Sequence, residues 1–214
     1  MPKLTYQHLY EPGTEPDAPP LLLLHGTGGN EHDLVRVGRM ISPGSALLSP
    51  RGDVNERGAA RFFARLAEGV FDPDEVSTRT HALADFVVNA ARHYRIDLGR
   101  LVAVGLSNGA NIAGTLLLLR PEVLTAAILF RPMVVFDLPA GPDSLVGKRV
   151  LITAGSTDPI VPADHPAHLA RLFEAGGADV TLRTHPASHA LVAADVEAAR
   201  QWLQPEWTRI SVPR

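Results

Sequence analysis

A five-residue run, Gly105-Leu106-Ser107-Asn108-Gly109, limits what this chain can fold into more than any other part of it. It follows the apolar stretch Leu101-Val102-Ala103-Val104 and opens a helical pattern running from Ala110 to Leu119. G-x-S-x-G between a strand and a helix is the pattern of a sharp, strained turn that lifts a serine hydroxyl above the end of a sheet. Both glycines are needed because strand and helix pass too closely for a side chain between them. Ser107 is therefore a candidate nucleophile. The alternative is a plain Gly/Ser turn into a helix, which asks nothing of the rest of the chain. A nucleophile elbow asks for a parallel sheet, an oxyanion loop, then an acid and a histidine further along the chain.

The rest of the pattern supplies the sheet. Short apolar runs at 21–24, 46–49, 101–105, 126–130, 150–154 and 180–183 read as strands, with a first strand at 3–9. Several are nearly continuous in hydrophobicity, as parallel strands covered on both faces are. Helical segments alternate with them at 31–40, 79–95, 108–119, 163–175 and 190–203, which predicts an α/β fold with a mostly parallel central sheet. Leu83, Phe86, Val87, Ala90 and Tyr94 share one helical face, with Asp72, Pro73 and Asp74 ahead of them as a cap. The proline-rich stretch at 11–20 reads as a surface loop. The segment 131–148, broken by Pro132, Pro139, Gly141 and Pro142, predicts no long helix and is too short for a cap domain. The 214 residues fit one domain, 1–214.

Composition narrows the chemistry. There is no cysteine, which excludes disulfides, a thiol nucleophile and cysteine-ligated metals. The net charge is −3 with acids and bases mixed, and no basic run suggests a nucleic-acid surface. The N-terminus lacks a basic start followed by an apolar stretch, and no apolar run could span a bilayer, so the expectation is a cytoplasmic protein without membrane attachment.

His25-Gly26-Thr27-Gly28-Gly29-Asn30 follows the apolar run at 21–24 and reads as the oxyanion loop. The two expected donors are the backbone N–H groups of Thr27 and of Asn108, the residue after the nucleophile. A dinucleotide-type phosphate loop would need glycine at 31, where Glu31 stands, and no Lys-Ser/Thr follows. His25 reads as a packing residue of its loop. The acid should follow a strand, and Asp158 in Gly155-Ser156-Thr157-Asp158-Pro159 does; Asp137, Asp143 and Asp164 do not sit at a strand tip in the right order. The base should follow the last strand. His185 and His189 compete there, and His189 is favoured because it opens the loop into the last helix. Pro186 argues against a helix carrying the two histidines as metal ligands, so no metal is expected.

Several stretches together resemble the phospholipase/carboxylesterase family of α/β-hydrolases, particularly its small bacterial carboxylesterases. They are Leu22 to Glu31, Ser49-Pro50-Arg51-Gly52, Arg61-Phe62-Phe63, Gly105 to Asn111, Gly155 to Pro162 and Ser188-His189. The resemblance implies an α/β-hydrolase fold, a Ser107–Asp158–His189 triad, no cofactor, a small-molecule ester substrate and a homodimer. It also suggests Arg51, Phe62, Phe63 and Leu191 as substrate contacts, with the two phenylalanines equally readable as core. Asn108 stands where related acyl-protein thioesterases usually carry Gln, which bears on substrate preference and not on the backbone donor. The expected reaction is ester cleavage through an acyl-enzyme. A thioesterase or lysophospholipase would use the same residues, and a non-catalytic receptor on this fold would lack turnover.

Overall fold

The computed structural model describes residues 4–138 and 140–207. Among the described residues nine strands form in chain order: β1 (His8–Glu11), β2 (Leu21–Leu24), β3 (Leu47–Pro50), β4 (Val54–Glu56), β5 (Ala59–Arg61), β6 (Val102–Leu106), β7 (Ala126–Phe130), β8 (Arg149–Gly155) and β9 (Asp179–His185). The α-helices among the described residues are α1 (Val35–Ile41), α2 (Pro73–Tyr94), α3 (Asn108–Leu119), α4 (His165–Ala175) and α5 (Ala193–Trp207). Seven strands make the main sheet in the order β1-β3-β2-β6-β7-β8-β9. All its pairings are parallel except that of β1 with β3. β4 and β5 form a separate hairpin. The fold is that of an α/β-hydrolase.

The apolar runs are continuous because both faces of the sheet are covered. Successive side chains of a strand point to opposite faces, and the core divides accordingly. Leu22 and Leu24 of β2, Ala103 of β6 and Leu129 of β7 pack with α2, α3 and α4. Leu21, Leu23, Val102, Val104, Ile128 and Phe130 pack on the other face with α1 and α5. β2, β6 and β7 accordingly carry no polar side chain on either face.

α2 starts at Pro73, six residues before the periodicity alone indicated. Asp72 caps it by accepting a hydrogen bond from the Asp74 N–H, and Arg95 ends it in the left-handed region at φ 59°. β1 occupies 8–11 and not 3–9, because its register is set by the four residues of β3, with His8 opposite Pro50 and Glu11 opposite Leu47. Tyr6 instead turns into the core. Lys3, in the expected first strand, and Pro139 lie outside the described residues. Residues 31–34 form a turn before α1, and α5 begins at Ala193, past the loop holding His189. Among the described residues of 131–148 there is no helix, and no cap domain covers the sheet. No helix among the described residues is long and apolar enough to cross a membrane.

Candidate active site

Ser107 caps α3 at φ 52°, ψ −115°, a strained conformation for a residue with a side chain. Its N–H is held by the Phe130 carbonyl of β7 at 2.8 Å, so the sheet over-determines the turn. A Cβ on Gly105 would lie 2.5 Å from the Gly109 carbonyl, and one on Gly109 would run into the Leu24 carbonyl. The two glycines of the motif are thus the places where strand, helix and neighbouring strand meet.

Asp158 follows β8 and His189 follows β9, adjacent strands that bring the two residues together from 31 positions apart. His189 Nδ1 lies 2.8 Å from Asp158 Oδ2, and its Nε2 lies 2.9 Å from Ser107 Oγ. Burial pushes the Asp158 carboxyl pKa up, but the backbone N–H groups of Ile160 and Val161 and the His189 ring outweigh it, and the net shift is downward. An ionised Asp158 fixes the proton on Nδ1, leaving Nε2 free to accept from the serine hydroxyl. His185, the rival, ends β9 with Nε2 3.8 Å from Asp195, turned to that carboxylate and not to Ser107.

Thr27 and Asn108 flank Ser107 along one wall of a cavity of about 560 Å³. Among the described residues, neither backbone N–H has a hydrogen-bond partner. The hairpin grips both residues. Ala60 accepts from the Gly28 N–H at 2.9 Å, Arg61 Nη1 donates to Thr27 Oγ1 at 2.6 Å, and the Phe62 N–H donates to Asn108 Oδ1 at 2.8 Å. His25 is buried under the loop. It donates from Nδ1 to the Gly26 carbonyl and accepts the Gly52 N–H at Nε2, the one tautomer consistent with both. Desolvation lowers its pKa, which keeps it neutral.

The four expected substrate contacts do not line this cavity. Phe62 and Phe63 are fully buried core residues. Arg51 is drawn away by Glu31, which takes hydrogen bonds from its Nε at 2.5 Å and Nη2 at 2.9 Å. Leu191 packs beside α5 on the other side of the sheet. The cavity is walled instead by Arg61, Arg65, Phe71, Met133 and Ile160. The hairpin explains the exchange: leaving β5, it turns Arg61 to the cavity and both phenylalanines inward. Arg61, the polar member of Arg61-Phe62-Phe63, was the available signal. Among the described residues no group of three His, Asp or Glu side chains is disposed to hold a metal ion.

Fold and site together define a hydrolase of the α/β class. The chain belongs to the dienelactone hydrolase family, which matches residues 8–208. It is 45% identical over 196 residues to the putative hydrolase MhqD of Bacillus subtilis (strain 168), covering 92% of this chain and 96% of that one. Among solved structures it resembles a Bacillus cereus carboxylesterase (TM-score 0.90, 40% identity, 93% of each chain). It also resembles a carboxylesterase from Mesorhizobium loti (TM-score 0.84, 35% identity, 90% of each chain). The chain is a carboxylic ester hydrolase.

Proposed function

We propose that this protein is a serine carboxylesterase acting on small or short-acyl esters, with Ser107 as nucleophile, His189 as base and Asp158 as its orienting acid. One observation carries the reading: the unbroken chain of hydrogen bonds from Ser107 Oγ through His189 to Asp158. In the reaction, His189 Nε2 takes the hydroxyl proton as Oγ attacks the ester carbonyl carbon. The carbonyl electron pair moves onto oxygen, where the Thr27 and Asn108 N–H groups receive it. The tetrahedral species collapses, the ester C–O bond breaks, and His189 gives its proton to the departing alcohol. Water then repeats the sequence on the acyl-enzyme, releasing the acid and restoring Ser107. No cofactor takes part in these steps.

The open cavity and the lack of a cap favour small esters over long acyl chains, and the same machinery would serve a thioester. A panel of acyl lengths with paired esters and thioesters, compared by kcat/KM, ranks these substrates. Ser107→Ala should abolish turnover of p-nitrophenyl acetate while the protein stays folded; turnover unchanged in that variant refutes the assignment.

A further inference from the structure

Among the described residues Arg131 is the largest fully buried side chain, and the proposed reaction does not use it. It follows β7 in the left-handed region, at φ 54°. A guanidinium has five N–H donors in a rigid fork, and here each has a partner. Nε donates to the Ser188 carbonyl at 3.0 Å. Nη1 donates to Thr153 Oγ1 at 3.0 Å and Asp195 Oδ1 at 2.8 Å. Nη2 donates to Asp195 Oδ2 at 2.7 Å and the Ala190 carbonyl at 3.2 Å.

Ser188 and Ala190 are the two neighbours of His189, so one planar group holds the peptide carbonyls on both sides of the base. Asp195 holds the same loop again, accepting the Val192 N–H at 2.9 Å. The residue before Arg131 matters equally: the Phe130 carbonyl is the partner of the Ser107 N–H. The dipeptide Phe130-Arg131 therefore grips the nucleophile with a backbone carbonyl and the base loop with a side chain. We infer that Arg131 is a positioning residue, setting the Ser107–His189 spacing from a single point on β7, with Asp195 as its counter-charge. This rests on the esterase reading above.

A buried ion pair is a poor source of stability, because desolvating two charges offsets their attraction; replacing both partners by apolar groups is often neutral. That separates positioning from mere support. Arg131→Lys keeps the positive charge beside Asp195 but loses the fork. It should lower kcat about 10- to 100-fold with KM changed less than about 3-fold, since misplacing a catalytic group by 1 Å can cost about 100-fold. Ser107 labelling by a fluorophosphonate should slow in parallel. The double variant Arg131→Met/Asp195→Leu removes the charges together. With its melting temperature close to wild type it should still show the kcat loss, and the kcat/KM pH profile should shift on its acid limb. A folded double variant with kcat within about 2-fold of wild type overturns the inference. If the double variant does not fold, folded Arg131→Lys decides, and wild-type kcat there overturns it equally. Wild-type protein that neither labels nor turns over any ester would instead refute the esterase reading.

Discussion

Gly109→Ala should disable the site through a single methyl group. The added Cβ would collide with the Leu24 carbonyl and sit 2.6 Å from the His25 carbonyl oxygen, whereas ordinary contact begins at 3.4 Å. Neither obstacle can yield. Leu24 is paired with Gly105 in the ladder, and His25 is pinned through both ring nitrogens. α3 must therefore retreat by about 1.4 Å from the tip of β2. Overpacking of this kind costs about 1–3 kcal/mol. The gain in helix propensity returns about 1 kcal/mol, so a net loss near 1 kcal/mol is expected and, for a chain of this size, a fall of about 2–4 °C in Tm. The effect on rate is larger. Asn108 is the next residue back, and its N–H, proposed above as an oxyanion donor, moves with the helix. Losing one oxyanion donor costs about 100- to 1000-fold in kcat. Gly114→Ala, on the same helix, is the control: its nearest neighbour is Phe173 Cζ at 3.4 Å, so stability should hold or rise slightly. Thermal melts and p-nitrophenyl acetate kinetics on both variants test this. Gly109→Ala with wild-type Tm and kcat would refute the reasoning.

Glu31 and Phe62 test the surroundings of the site. Burial pushes the Glu31 carboxyl up, but hydrogen bonds from Arg51 and Gln7 prevail and its pKa is lowered from 4.5 to about 2. A carboxylate with a depressed folded pKa stabilises the fold above its ordinary value and loses that contribution as pH falls through the folded one. Urea unfolding between pH 5 and 2 should therefore show a steeper loss in wild type than in Glu31→Gln, and parallel curves would argue against it. Phe62→Ala, cutting a fully buried ring out of the core, should cost about 3–5 kcal/mol in denaturant melts. A variant that keeps its stability but changes acyl preference would return Phe62 to the cavity wall.

The parts legible from the chain alone are those with strong local causes. Strands buried on both faces leave unbroken apolar runs, and the elbow needs its two glycines at fixed spacing. Asp158 and His189 were singled out by chain order, since each was expected to follow a strand, and the fold places their side chains within hydrogen-bond distance. β4 and β5 were missed because strands of three residues carry no periodicity, although Arg57 and Gly58, both at positive φ, mark their turn. Without the hairpin nothing says which of Arg61, Phe62 and Phe63 faces the cavity, which is why the two phenylalanines were expected there and Arg61 was not. Arg131 and Asp195 meet across 64 positions, and no local pattern pairs two charges over that distance.

The placement of β9 bears on how long such a catalyst lasts. Among the described residues this strand is bonded only to β8, and most of its side chains face solvent. Margins of a sheet open more readily than its middle. Ser107 sits on the middle and His189 follows the margin, so the bonds from Arg131 and Asp195 to the His189 loop are what tie the two together when the margin opens. Working lifetime is then expected to follow how well this border holds as much as how well the centre is packed. An effort to make the enzyme durable belongs at the seam between β8 and β9, where a few added contacts guard the whole reaction.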